Sequence, residues 1–342
     1  MTRTNAYVIT EPHRGNVRGF DLLDISSDDV LVKVRACGVC TTDRRLFAGT
    51  LKVPYPLIGG HEVAGEVIAV GKDANGLEPG AYVALDTIYR CGSCFFCRKG
   101  LDHLCLHSRK AAKFGDVSLV AGGFSEYLTV KHTQVFALAE GVDFSEATLS
   151  EPLACCLHSV QKARLSFGDS ALIIGAGTMG LLHAFATTLS GVTPLISDSD
   201  AERRGFANRL GYRAVQPAQV IEEKQRVNEG LGFDGVFITA PVLSLINDSL
   251  SYVRKGGAIV LYTSVHPGGT VAFDANQMHY SEAVITGTEG RTKADFQKAT
   301  ALISNGSVDL KPLITKRIQL GDLSEELSSL PSGNSQRTIV TF

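Results

Sequence analysis

The chain has 342 residues, 44% hydrophobic and 20% charged, enough for about two domains that each bury a core. A net charge of -2 gives no electrostatic case for nucleic acid or an anionic membrane surface. The N-terminal stretch MTRTNAYVITEP lacks the apolar core of a signal peptide, so a cytoplasmic protein with reduced thiols is expected.

The first half reads as short strands and turns. Val30–Ala36, Glu62–Val70, Ala81–Leu85 and Phe124–Val130 have β-type composition and are separated by Gly, Pro and Asp, which predicts a small barrel-like domain. From about Ser159 strands and helices alternate. Ala171–Ile174 and Thr193–Ser197 are expected strands, and Thr178–Ser190 and Ala201–Leu210 expected helices. Val236–Thr239, Ala258–Tyr262 and Ala283–Thr286 continue as buried strands, the signature of a parallel, doubly wound sheet. A helix over Ala294–Ser304 follows, and a last strand, Thr338–Phe342, is expected to return to the first domain. Ser170 to Ser197 carries no charge and is long enough to span a bilayer. Gly175, Gly177, Gly180, His183 and Pro194 instead divide it into strand, turn, helix and strand.

Cys91, Cys94, Cys97 and Cys105 fall inside fifteen residues, RCGSCFFCRKGLDHLC with its flanking Arg90. Two consecutive two-residue gaps and one wider gap suit a closed tetrahedral S4 zinc site. Bacterial-type iron–sulfur runs have a shorter last gap and a following Pro, where this chain has Leu106. The other reading, a pair of disulfides, strains disulfide geometry and lacks an oxidising compartment. A closed site braces a loop and performs no chemistry.

Gly175-Ala176-Gly177-Thr178-Met179-Gly180 fits the dinucleotide-binding glycine turn, after a strand and opening a helix. The helix start offers backbone N–H groups to phosphates. Asp198 lies twenty-three positions after Gly175, where a carboxylate binds a ribose 2′-OH and repels a 2′-phosphate. NAD is therefore expected over NADP, although Arg203 and Arg204 lie where an Arg accepts a phosphate. Asp198 also reads as a helix N-cap, a role for which Asp200 competes.

Cys40 in GVCTTD, His61 and Glu62 in GGHEVAGEV, and Glu151 before Pro152 make a mixed S/N/O donor set. A catalytic zinc uses about three protein ligands and keeps one position open. Cys37 forms a CxxC with Cys40, and is assigned to core packing.

GVCTTD, GGHEVAGEVIAVG, the four-cysteine lobe, AGGFSEYL, EPLACCLHSV and the glycine turn resemble, in order and spacing, the zinc-dependent medium-chain alcohol/polyol dehydrogenases. The likeness spans nearly the whole chain, and Glu151-Pro152 is similar to the sorbitol and threonine dehydrogenase branch. It implies an α/β fold with a GroES-like β-rich catalytic domain over residues 1–151. A lobe at about 88–108 would hold a structural zinc. A Rossmann domain would cover 152–288, and a C-terminal segment, 289–342, would return to the catalytic domain.

The same resemblance implies a catalytic zinc on Cys40 and His61, with Glu62 a direct or alternating ligand and acting in catalysis. Glu151 would be the remaining ligand or hold a zinc-bound water. Thr42 would hydrogen-bond the substrate alcohol and relay its proton, and Asp43 would orient the ligands. The cofactor would meet Gly175, Gly177, Thr178, Met179, Gly180, Asp198 and Arg203. Thr87–Tyr89 and Phe114 would wall the substrate pocket. Many relatives have a histidine five positions after the ligand Cys; Arg45 stands there and cannot act as a base.

The expected activity is zinc- and NAD-dependent oxidation of a polar secondary alcohol (polyol, sugar, cyclitol or amino alcohol) to the ketone. Two zincs per chain and a homodimer or homotetramer are expected, with no nucleic-acid or membrane partner. An NADPH-dependent aldehyde or carbonyl reductase of the same fold is the alternative. A zinc-ribbon nucleic-acid binder would leave Cys40, His61 and Glu151 unexplained, and an enzymatically dead homologue would not need both sets complete.

Overall fold

The computed structural model describes residues 3–22, 24–108, 112–266, 268–329 and 333–342. It divides into two compact units: Met1–Ala154 with Thr292–Phe342, and Cys155–Arg291.

The first unit is β-rich. Its N-terminal hairpin, Arg3–Glu11 and Arg14–Asp21, joins a five-stranded sheet. The hub of the seven-stranded sheet is Asp29–Val39, which pairs antiparallel with Glu62–Val70, Tyr127–Lys131 and the C-terminal strand Arg337–Thr341. Its side chains alternate between half-buried and buried over most of its length, the period-two pattern of a strand with one face on a core. Val30, Val32, Val34, Val63, Val67, Phe124 and Leu128 are among the residues of that core.

The expected strand over Phe124–Val130 is shorter. Phe124 donates its N–H to Gly59 O and accepts from Tyr7 N, so it joins other segments, and the ladder begins at Tyr127.

The second unit holds six parallel strands. Ser170–Ile174 lies between Thr193–Ser197 and Phe233–Ile238, and the sheet continues through Val253–Leu261 to Val284–Gly287. Ser170–Ile174 and Phe233–Ile238 are buried at every position, as central strands covered on both faces must be. The helices Thr178–Leu189 and Ala201–Arg209 follow their strands directly. The architecture is the expected α/β pairing of a GroES-like unit and a Rossmann unit.

The helix Ser150–Ala163 carries the chain from one unit into the other. Pro152 falls in its first turn, where backbone N–H groups lack an intrahelical acceptor in any case. No helix of the described residues is long and apolar enough to cross a membrane.

Candidate active site and metal centres

Cys40, His61 and Glu62 converge, with one ligand atom of each lying within 4.8 Å of the others. Cys40 ends the turn after the hub strand and is the N-cap of the helix Thr41–Phe47. Glu62 opens the next strand, directly opposite Gly38 in the register. A Cβ on Gly38 would stand 2.1 Å from Glu62 Oε2, so only glycine leaves room for the carboxylate.

Asp43 ties this turn together. Its Oδ2 accepts from Cys40 N at 2.9 Å and its Oδ1 from Gly60 N at 3.0 Å. The same Oδ1 lies 3.7 Å from His61 Nδ1, an ion-pair distance. Burial opposes a charge on His61, yet Asp43 and Cys40 together carry its pKa well above the ordinary value. Burial also opposes the Asp43 carboxylate, and His61 with the two backbone donors still holds its pKa below the usual range.

Glu62 is fully buried, and burial pushes its pKa up to about 7; Arg337 pulls it down, and Glu151 raises it further. Arg337, itself buried, places Nη2 3.3 Å from Glu62 Oε1 and donates through Nη1 to Val39 O. Sequence reasoning missed this arginine. It lies 275 positions after Glu62 and arrives through the pairing of Arg337–Thr341 with the hub strand.

Glu151, at the start of its helix, is buried and close enough to act on Glu62, but is outside the set of three converging ligand atoms. Thr42 is exposed on the first turn of its helix, and Arg45 is half-buried on the next. Thr87 Oγ1 donates to His61 O at 3.4 Å. Phe114 is buried in the unit's core and stacked on Phe20 at 5.5 Å.

The second cluster is the four-cysteine lobe. None of the eight cysteines forms a disulfide. Cys105 Sγ lies 3.6 Å from Cys91 Sγ and 4.0 Å from Cys94 Sγ. Four sulfurs about 2.3 Å from one zinc stand about 3.8 Å apart at tetrahedral corners, so this spacing fits the ion. Backbone N–H groups of Cys94 and His107 point at Cys91 and Cys105 sulfurs, the donors a thiolate needs. Those of Ser93 and Cys94 hold the Cys91 thiol down at about 5.

In the second unit the glycine turn has the required backbone. Gly175 has φ +116°, a conformation L side chains rarely adopt. A Cβ on Gly180 would lie 1.8 Å from Gly175 O, whereas one on Gly177 would meet no atom within 4 Å. The turn is thus tight at both ends and open where a phosphate would approach. Gly177 caps the helix begun by Thr178 and Met179.

Asp198 accepts from Ala176 N (2.7 Å) and from Asp200 N (2.8 Å). It is not the helix N-cap; Asp200 takes that role, accepting from Glu202 N and Arg203 N. Arg204 donates to the carbonyls of Asp198 and Ser199, while the buried Nε of Arg203 has no hydrogen-bond partner.

These features agree with what the chain is similar to. Residues 26–140 match the alcohol dehydrogenase GroES-like domain and residues 178–305 the zinc-binding dehydrogenase domain. D-arabinitol dehydrogenase 1 of Uromyces fabae is 30% identical over 318 residues, covering 90% of this chain and 88% of its own. The 2-dehydro-3-deoxy-L-galactonate 5-dehydrogenase of Pseudoalteromonas atlantica is 31% identical over 312 residues, covering 90% and 89%. Among solved structures, a zinc-binding dehydrogenase from Sinorhizobium meliloti 1021 bound to NADP superposes with a TM-score of 0.91 at 28% identity, over 100% of both chains. The chain belongs to the zinc-dependent medium-chain alcohol/polyol dehydrogenases, a family of oxidoreductases.

Proposed function

We propose that the chain oxidises a polar secondary alcohol of the polyol, sugar or sugar-acid type to its ketone, with NAD as hydride acceptor. The observation that carries this reading is the convergence of Cys40, His61 and Glu62 around one point, the donor set of a catalytic zinc with an open position. Glu151 is the added carboxylate of that site, and Cys91, Cys94, Cys97 and Cys105 hold a second, structural zinc. The relatives support the substrate class, since they are named for arabinitol and a galactonate derivative.

A bound zinc supplies Lewis acidity that lowers the pKa of an alcohol, and a bound nicotinamide supplies the hydride acceptor. The protein's own part is placement and charge. Asp43 holds His61 and the Cys40 turn, and Arg337 balances the buried Glu62. Thr42 Oγ1 accepts the substrate hydroxyl proton and passes it outward through water, because Arg45 cannot take it as a base. The Arg45 guanidinium instead offers donors to a polyhydroxylated or anionic substrate. Gly177 and the N–H groups of Thr178 and Met179 receive the pyrophosphate, and Asp198 the adenosine ribose.

The test is an NAD-reduction screen over polyols, sugar acids, threonine and simple alcohols, with zinc quantified in the same sample. Two zincs per chain and turnover of a secondary polyol or sugar acid are expected. One zinc and no turnover with any alcohol would overturn the reading.

A second reading, an NADPH-dependent carbonyl reductase, is favoured by the unpartnered Arg203 Nε and by the NADP carried by the S. meliloti structure. Under the NAD reading, Asp198→Ala lowers kcat/KM for NAD about tenfold, the cost of one lost charged hydrogen bond, and raises NADP use. Better kinetics with NADPH in the unmutated enzyme would favour the reductase. We place the enzyme in the cytoplasm as a homodimer or homotetramer, which light scattering during size exclusion checks.

A further inference from the structure

Glu326 is a buried carboxylate outside the ligand cluster that takes three side-chain donors. It sits on the helix Leu323–Ser328 and is 4% exposed. Its Oε1 accepts from Arg44 Nη2 and, at 2.9 Å, from Thr338 Oγ1, and its Oε2 takes Lys316 Nζ at 2.7 Å. Arg44 Nη1 also donates to the backbone carbonyls of Glu326 and Ser329. Burying a carboxylate with two cations is a poor source of stability, since an apolar packing of the same volume does as well or better. The connections themselves give a better reason for it.

Two of the three arms of the network, Arg44 and Thr338, lead to the ligand cluster. Arg44 belongs to the helix Thr41–Phe47, capped by Cys40 and carrying Thr42 and Asp43 on its first turn. Thr338 follows Arg337 and pairs with Val39, the residue before Cys40. Successive side chains of a strand point to opposite faces, so Glu326 grips one face at Thr338 while Arg337 reaches Glu62 from the other.

We infer that Glu326 is a positioning residue of the active site. Through Arg44 it fixes the helix start bearing Cys40, Thr42 and Asp43, and through Thr338 the strand bearing Arg337. The inference rests on the reading of Cys40, His61 and Glu62 as metal ligands, and the two fail in different ways.

Glu326→Gln keeps the shape and one acceptor but removes the charge that aligns Arg44. Turnover, KM and the visible spectrum of the cobalt-exchanged, full-length enzyme are compared with wild type, with the Cys40→Ser spectrum subtracted as the lobe's share. A kcat lowered about ten- to a hundredfold, as for outer partners of metal ligands, is expected, with KM little changed and altered cobalt bands.

Ser324→Ala is the control for a loosened helix. It removes the contacts to Tyr7 Oη (2.6 Å) and Gly15 O on the same helix and is expected to leave kcat and the spectrum unchanged. If Glu326→Gln does not fold, Thr338→Val removes one arm with an isosteric strand former, and a smaller drop in kcat with shifted bands is expected. Wild-type kcat and spectrum in whichever variant folds would overturn the inference, as would equal changes in Ser324→Ala. A wild-type enzyme with no cobalt bands lost on Cys40→Ser would overturn the metal reading instead.

Discussion

In the lobe, four thiols lie within fifteen residues, and N–H groups of the same loop bond their sulfurs. Cys40, His61 and Glu62 instead come from two sheet segments. Their charges are balanced by Asp43, three residues from Cys40, and by Arg337 at the far end of the chain. The lobe is thus assembled by local geometry, whereas the converging cluster exists only once the sheet has closed. Loss of metal should unfold the first and merely silence the second.

Cys40→Ser and Cys94→Ser set these two expectations against each other. Cys40→Ser should lower alcohol turnover by at least about a thousandfold, the scale on which a principal electrostatic element of catalysis matters, while its circular dichroism and melting temperature stay near wild type. Cys94→Ser should destabilise the chain by several kcal/mol, because the free energy of a structural zinc is folding free energy. An inactive but fully stable Cys94→Ser, or an unfolded Cys40→Ser, would reverse the comparison.

Arg337→Met probes what the assembled cluster costs. It leaves Glu62 buried without its cation, a loss of about 3–5 kcal/mol when one partner of a buried pair is removed. Chemical denaturation would measure it. Making Glu62→Gln in the same background should restore much of the stability but not the activity. If Arg337→Met is as stable as wild type, the ion pair does not hold the cluster.

The same contrast decided what could be read in advance. The lobe and the glycine turn were legible because each packs its chemistry into a short run whose spacing is itself the geometry. Cys40, His61 and Glu62 were legible as residue types, and the return of the last strand was expected. Arg337 and Glu326 were not. Their roles depend on Thr338 pairing with Val39 and on a helix lying beside Arg44, and an isolated Arg or Glu near the C-terminus resembles any surface charge.

Two imidazoles, one in each unit, sharpen the comparison because their pKa values move in opposite directions. His61 has its pKa pushed up by Asp43 and Cys40, whereas His183 is held down at about 4 by burial. Its Nδ1 meets Met179 O at 2.7 Å and its Nε2 meets Ser159 Oγ at 2.9 Å. An unfolded His titrates near 6.5, so between about pH 6.5 and 4 the unfolded chain binds a proton that the folded one refuses. That linkage should remove up to about 3 kcal/mol of stability as the pH falls through this range. Denaturant titrations of wild type and His183→Gln would measure it, the variant lacking this part of the slope. Identical slopes would mean that His183 is not buried neutral.

The smallest effect is expected where the lobe touches the rest of its unit. Asp102, in the turn Asp102–Leu104, accepts from Lys293 N at 3.2 and 3.3 Å and lies 3.2 Å from Arg90 Nε. Lys293 opens the helix Lys293–Ser304, already capped by Thr292, so the carboxylate adds a charge to a helix start that is otherwise complete. Such a charge is worth about 0.3–1 kcal/mol. Asp102→Asn keeps an acceptor and should cost no more than that, with the rate of zinc loss to a chelator unchanged. If Asp102→Asn instead sheds its zinc as readily as Cys94→Ser, the lobe depends on its docking to Lys293, and its thiols are no more locally assembled than the cluster around Cys40.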